Sequence, residues 1–309
     1  MNRRLKKAFD PRVWVRLFWV ALSKHTHWPD SKTYLKVLYK LYTTRDLNLD
    51  KPKSFTEKIQ WLKLYYNTTP EHTVWADKYE VRKYIEKTIG KEYLIPLLGV
   101  WETFEDIDFD ALPNQFVLKT THDSGGVVIC RDKASFDKEA ARKKLNKRLH
   151  TNYYWAGREM PYKNIKPRIV AEKYMIDNSS DDLPDYKLFC FNGKPEVLFY
   201  ASERFNKEGH PPYFTYYDMD LNILPIQSKG HQTDARPIII DNWEEMKRLA
   251  SILSKGHPHL RVDFYSINGR IYFGEITFHH DGGFVPFIPQ EWDLKFGDMI
   301  KLPIDNKVN

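Results

Sequence analysis

An Asn-Gly pair at 268–269, set between two runs of alternating apolar residues, constrains this chain more than any other feature. Val262 and Phe264 precede it, Ile271 and Phe273 follow it, and two such runs joined through Asn-Gly fold as a β-hairpin. Asp263 on the first arm and Glu275 on the second interrupt apolar strands, where an isolated carboxylate carries a large desolvation cost, so each calls for a cation. Hard oxygen ligands from neighbouring strands suit Mg2+, which takes one or two protein carboxylates and completes its shell with water and phosphate oxygens. Arg261 lies two residues before Asp263, and period-two alternation puts both on one face of the strand. A solvated face on which Arg261 pairs with the two carboxylates accounts for the same residues.

The chain has 309 residues, above the size of about 250–300 at which a single core stops growing, so more than one lobe is expected. Its 48 Lys and Arg against 41 Asp and Glu give a net charge of +7, which suits a nucleotide, an acidic polysaccharide or a membrane surface. The basic residues read as dispersed and form no RNA- or DNA-binding motif, so no nucleic-acid partner is expected. Cys130 and Cys190 lack metal-ligand spacing and fall in strand-like runs, which fits reduced thiols and a cytoplasmic protein.

Residues 13–22 (VWVRLFWVAL) form an apolar run broken by Arg16 and preceded by Arg3, Arg4, Lys6 and Lys7. The run is too short to span a bilayer, and its internal charge argues against a secretion signal. It reads as an amphipathic helix, either docked on the protein's own core or lying on the inner membrane surface. Residues 31–42 and 54–66 read as helices, the second opened by a capping box of Ser54 and Glu57. Lys58, Trp61, Lys63 and Tyr65 read as decoration of that second helix, and residues 77–89 as a further one.

Residues 116–121 and 127–131 are strands joined by His122-Asp123-Ser124-Gly125-Gly126. Two glycines let backbone N–H groups approach phosphates, as in a flap that closes over a nucleotide, although an ordinary Gly-Gly hairpin fits too. Lys119, inside an apolar strand, needs an anionic partner. Further on come a charged helix at 135–150, a strand at 168–175, and a hairpin from Asp185 that turns at Asn192-Gly193 and ends at Arg204. A short aromatic strand at 213–217 and a helix at 241–255, capped by Asp241 or Asn242, complete the reading.

The segment R-V-D-F at 261–264, followed by the turn and by G-E-I-T at 274–277, resembles the closing strands of the ATP-grasp superfamily. S-F-T-E-K-I-Q-W-L-K at 54–63 and A-D-K-Y-E-V-R at 76–82 resemble its TupA-like branch, found in teichuronopeptide and capsular polysaccharide synthesis. The resemblance spans most of the chain and implies an α+β fold, with two α+β lobes clasping ATP behind a mostly helical N-terminal region. The implied divisions are a helical region at 1–70, a pre-ATP-grasp region at 71–115, a lid lobe at 116–176 and a catalytic, metal-binding lobe at 177–309.

On this resemblance the cofactors are ATP and Mg2+. Asp263, Glu275 and Thr277 occupy the metal positions, with Thr277 standing where the family has asparagine. Lys119 and the loop Ser124, Gly125, Gly126 contact the phosphates, and backbone groups around Glu172, Lys173, Tyr174 and Met175 read the adenine edge. Lys187 is a second phosphate-binding cation and acts in catalysis with Arg261. The implied reaction joins a carboxylate to an amine through an acylphosphate. The expected partners are a carboxylate-bearing anionic sugar or polysaccharide precursor and an amine such as an amino acid. His279, His280 and Asp281 are placed to supply the missing ligand or to border the second substrate. Two alternatives remain at this stage: a glycosyltransferase, whose Asp-x-Asp motif Asp218-Met219-Asp220 spells although the stretch reads more naturally as a turn, and a non-catalytic nucleotide- or glycan-binding module.

Overall fold

The computed structural model describes residues 10–178, 183–203, 211–227, 232–234, 236 and 238–304. Arg204, the basic residues before Asp10 and part of the polar loop after Asn178 lie outside the described residues. The chain opens with helices α1 (Pro11–Thr26), α2 (Ser31–Thr43), α3 (Phe55–Tyr65), α4 (Pro70–Ala76) and α5 (Val81–Thr88). Ser54 accepts from the Glu57 N–H while the Glu57 carboxylate accepts from the Ser54 N–H, so the capping box that starts α3 is present.

A four-stranded antiparallel sheet follows, built from β1 (Leu97–Trp101), β2 (Phe116–Thr120), β3 (Val127–Cys130) and β4 (Ile169–Lys173) in the order β1-β4-β2-β3. Between β3 and β4 run α6 (Lys138–Leu149) and the single turn α7 (Tyr154–Gly157). Ala141 and Leu145 of α6 pack on Phe116, Leu118, Ile169 and Ala171, which covers one face of the sheet. Lys119 and Glu172 lie on the other face, where their side chains meet.

The second sheet has five antiparallel strands in the order β7-β6-β5-β8-β9. They are β5 (Asp185–Phe191), β6 (Lys194–Ser202), β7 (Tyr213–Tyr217), β8 (His259–Ile267) and β9 (Arg270–Thr277), with α8 (Trp243–Ser254) before β8 and α9 (Glu291–Met299) after β9. Both expected hairpins close through Asn-Gly, with φ of 50° and 82° at Asn192-Gly193 and 50° and 71° at Asn268-Gly269. Positive φ at both central residues matches the right-handed twist of the flanking strands, which is why the pair recurs. Neither Asp241 nor Asn242 caps α8 with its side chain; the Asn242 amide donates to the Gly269 carbonyl in the hairpin turn.

Each face of this sheet has its own cover. Leu188, Cys190, Val262, Phe264 and Phe273 bury against Met246, Leu249 and Leu253 of α8. Phe189, Phe191, Phe199 and Tyr216 on the opposite face bury against Tyr34 and Leu38 of α2, Phe55 and Ile59 of α3, and Phe296 of α9. The helices of the first 70 residues are thus the roof of one face of the second sheet. The remainder of that face carries charge.

A candidate nucleotide and metal site

Register places the charged residues of the second sheet side by side. Lys187 pairs with Asp263 across β5 and β8, Asp263 with Glu275 across β8 and β9, and Arg261 with Thr277. Strict alternation along β9 would put Phe273 and Glu275 on the same face. A bulge intervenes, because Asp263 pairs with Glu275 but Phe264 already pairs with Phe273, leaving Gly274 as the extra residue. A Cβ at Gly274 would sit 3.0 Å from the Asp263 carbonyl oxygen. The bulge sends Phe273 into the core and turns Glu275 out beside Asp263.

The side chains form one network. Arg261 Nε donates to Asp263 Oδ1 at 2.6 Å and Nη2 to Oδ2 at 2.8 Å. The same Nη2 reaches Thr277 Oγ1 at 3.0 Å and Glu275 Oε1 at 3.3 Å. Lys187 Nζ donates to Asp263 Oδ2 at 2.5 Å and lies 3.0 Å from Asp185 Oδ2. Thr277 donates to Glu275 Oε1 at 3.2 Å, so its hydroxyl bridges a cation and a carboxylate. Asp263 is 3% exposed, so this is no solvated strand face, yet Arg261 is indeed the partner of its carboxylate. Burial works to raise the Asp263 pKa, but the charges of Arg261 and Lys187 outweigh it and hold the carboxyl below its ordinary value. The Glu275 side chain is 40% exposed and opens the network to solvent.

The first sheet carries a second charged group. Lys119 Nζ donates to Glu172 Oε2 at 2.6 Å, and Arg82 Nη1 approaches Glu172 Oε1 at 3.3 Å. The anionic partner that Lys119 requires is therefore a glutamate of the same sheet, and Glu172 contributes its carboxylate as well as its backbone. Beyond it, Lys173 N donates to the Pro96 carbonyl, and Tyr174 and Met175 leave the strand half-buried. Asn268 of the distant hairpin turn holds the next residues, donating to the Ile176 carbonyl at 2.9 Å and accepting from Asn178 N at 2.9 Å.

The glycine loop between β2 and β3 is anchored more firmly than a run of small residues suggests. Asp123 is buried and accepts from the Thr120 hydroxyl, with Arg148 3.4 Å away, while Lys78 Nζ donates to its carbonyl at 2.5 Å. Only Ser124 and Gly125 at the tip are exposed. Gly125 has φ +93°, and a Cβ at Gly126 would fall 1.7 Å from Thr120 Oγ1. Burial, and the negative charge of Glu159, of Asp123 in this loop and of Glu275 and Asp281, raise the pKa of the half-buried Tyr153. The glycine loop and Glu275 of the second sheet therefore lie within electrostatic reach of one ring.

The segment after β9 turns inward. Asp281, Gly282 and Gly283 are three successive residues with φ of 47°, 61° and 65°. Lys63 Nζ donates to the Gly282 carbonyl at 2.6 Å and to the Gly157 carbonyl at 2.9 Å, and Gln60 Nε2 donates to the Gly283 carbonyl at 2.8 Å. Lys63 is 0% exposed, which corrects its reading as surface decoration, and burial pulls its pKa down to about 8. His279 is buried between Glu159 Oε2 at 3.1 Å and Asn67 Oδ1 at 3.2 Å. His280 packs in parallel on Phe287 with ring centroids 6.0 Å apart, and its Nδ1 lies 2.8 Å from Arg261 Nη1. Burial lowers the His280 pKa to about 4, so the neutral ring presents Nδ1 as an acceptor and fixes the guanidinium from behind. Of the three residues expected to border a second substrate, two are thus committed to the interior, and Asp281 has the exposed side chain. Lys63, Gln60, Glu159 and Asn67 had no local signal in the sequence.

The family model for TupA-like ATP-grasp proteins matches residues 57–301, which include both sheets and the networks on them. The chain belongs to this family. The ATP-grasp fold accounts for the two α+β lobes. No curated protein matches by sequence. Among solved structures, an L-amino acid ligase from Bacillus licheniformis is similar over 82% of this chain and 56% of its own, at 14% identity and TM-score 0.45. A D-alanine–D-alanine ligase from Bacillus anthracis is similar over 66% and 57%, at 18% identity and TM-score 0.38. The same enzyme complexed with ATP gives 66% and 55%, 20% and 0.39. The chain thus spans little more than half the length of each of these proteins, and the assignment rests on the family match.

The second sheet's network holds the residues expected to bind a divalent ion. Among the described residues no group of three or more His, Cys, Asp or Glu forms a closed metal cage. The donors present are hard oxygens: Glu275 accepts its hydrogen bonds at Oε1, while both oxygens of Asp263 are occupied by Arg261 and Lys187. Three carboxylates, Asp185, Asp263 and Glu275, face two cations, leaving a net negative charge. That set fits Mg2+, which keeps much of its shell for water and phosphate. The competing Asp-x-Asp motif is a turn: Asp218 Oδ1 accepts from Asp220 N and Asn222 N, each at 2.9 Å.

Proposed function

We propose that this protein is an ATP-dependent carboxylate–amine ligase that works through an acylphosphate in bacterial surface polysaccharide or polypeptide biosynthesis. The observation that carries the reading is the convergence of Lys187, Arg261, Asp263 and Glu275 on one face of the second sheet, within a chain of the ATP-grasp family. A substrate carboxylate oxygen attacks the γ-phosphorus of ATP and ADP leaves; an amine then attacks the acyl carbon, phosphate leaves and an amide forms. Phosphoryl transfer of this kind depends on positioning and charge stabilisation more than on a strong base.

Arg261 offers a planar fork of donors already held rigid by Asp263, Thr277 and His280, suited to two oxygens of the transferred group. Lys187 and Lys119 are point charges for phosphate oxygens, each held on a carboxylate of its own sheet. Bound Mg2+, held by Asp263 and Glu275, would neutralise phosphate charge; the Thr277 hydroxyl orients Glu275. The glycine loop tip Ser124-Gly125 and the backbone at Lys173 to Met175 are the groups for phosphate and adenine. ATP as co-substrate and two buried free thiols fit a cytoplasmic enzyme.

The test is incubation with Mg-ATP and pairs of a uronic acid and an amino acid, following the nucleotide product. ADP released only with both partners present supports the acylphosphate route. AMP, or sugar transfer from a nucleotide-sugar without ATP, overturns it.

A further inference from the structure

Helix α1 is oriented the wrong way round for a helix on a water-facing surface. At 3.6 residues per turn, Trp14, Leu17, Phe18 and Ala21 share one side, and that side faces outward. Trp14 is 62% exposed, Leu17 58% and Phe18 66%, with Val15 and Trp28 beside them at 48% and 58%. Arg16 and Ser23 point the other way. Arg16 covers the Tyr42 ring at 4.3 Å, and Ser23 is buried, accepting from Arg158 at 2.8 Å. Trp19 stacks on Tyr34, so the helix is docked on the core and still presents an apolar face. The inner side matches the reading of a helix docked on the protein's own core.

The charge of this end of the sequence is one-sided as well. Residues 1–40 hold ten Lys and Arg and two Asp, which leaves the rest of the chain with 38 basic against 39 acidic residues. The net positive excess thus belongs to this end of the chain. Exposed Trp, Phe and Leu side chains on a stretch of sequence rich in Lys and Arg match the headgroup–acyl boundary of an anionic bilayer, which takes apolar side chains and attracts Lys and Arg. A second copy of the chain would instead set this charge against itself. Among the described residues no helix is long and apolar enough to cross a membrane.

We propose that α1 lays Leu17, Phe18 and their neighbours onto an anionic membrane surface. Its inner side is clamped by Arg158, next in sequence to Glu159, which binds His279 beyond β9. A bilayer-bound α1 is therefore linked through these contacts to the segment after β9, and this inference stands whether or not the ligase reading does.

The test uses the full chain, sedimented with vesicles of phosphatidylcholine alone or of phosphatidylcholine mixed with phosphatidylglycerol. We expect binding to the mixed vesicles, weakened by added salt, and at least about tenfold weaker for Leu17→Ser/Phe18→Ser, which removes two apolar anchors. Both side chains are exposed, so the variant should unfold at the same temperature as the parent. Failure to bind the mixed vesicles, binding indifferent to the substitutions, or self-association in sedimentation velocity that the same substitutions abolish would each overturn the proposal.

Discussion

Lys187 and Asp263 stand opposite each other across the β5–β8 pairing, and their side chains meet at 2.5 Å. Arg261 holds the same carboxylate on its other side. The two cations proposed for phosphate are thus both paired with one aspartate. On the proposed reading a triphosphate would have to compete with Asp263 for them.

Asp263→Asn keeps the shape and removes the charge that compensates two cations. Removing one partner of a buried ion pair costs about 3–5 kcal/mol, so a comparable loss is expected in urea unfolding near neutral pH, together with loss of ATP turnover. The sign of the pH effect follows from the lowered pKa. Stabilisation by Asp263 is complete above the unfolded value of 3.8 and disappears as pH falls through the lower folded value. Parent and variant should therefore converge in stability as the solution is acidified below 3.8, and a gap that persists unchanged would contradict the network.

Lys63 titrates in the opposite limb. In the unfolded chain it keeps its proton to 10.5, whereas in the folded chain it releases it near 8. Between those values the folded state binds fewer protons, so its contribution makes stability rise with pH, by something on the order of 1–3 kcal/mol. Lys63→Met preserves most of the buried stem and should abolish that rise. It also leaves the Gly157 and Gly282 carbonyls without their donor, which should speed hydrogen exchange across 279–284.

Gly126→Ala forces a methyl group onto Thr120 Oγ1 and to within 2.8 Å of Asp123 Oδ1. The loop must rebuild, and nucleotide affinity is expected to drop by about tenfold or more, equivalent to about 1.4 kcal/mol. Adding Thr120→Ala removes the obstructing hydroxyl and should recover part of the loss in an ATP titration. No recovery would mean that the Thr120–Asp123 hydrogen bond itself, and not space, sets the loop.

Thr277 separates two roles for one position. Thr277→Val is close in shape but takes away the acceptor for Arg261 and the donor to Glu275, so kcat should fall with thermal stability little changed. Thr277→Asn restores a donor and an acceptor and matches the family's usual residue, so metal affinity should be kept or raised. Equal behaviour of the two variants in a Mg2+ titration would remove Thr277 from the site.

What could be read from sequence was what local patterns encode. Asn-Gly turns fixed two hairpins, period two put Arg261 beside Asp263, and the Ser54–Glu57 box marked the start of α3. Physical signals ran out where partners are far apart in the chain. Lys63 looked like any lysine on an exposed helix, because the carbonyls that receive it belong to Gly157 and Gly282. The bulge at Gly274 was hidden for a different reason: alternation continues through it on paper, and only pairing with β8 shows the extra residue. Asn268 announced a turn but gave no hint that it also ties down Ile176 and Asn178.

Cys130 lies in the core of the first sheet and Cys190 in that of the second, both as free thiols. Burial raises the pKa of both, and that of Cys190 to about 12, so neither reacts while its lobe is closed. The molecule thereby contains one chemical stopwatch per lobe. Mass-resolved alkylation of the two sulfurs times the opening of each lobe separately, without any engineered label, and would show whether nucleotide locks the clasp as a unit or steadies one jaw first.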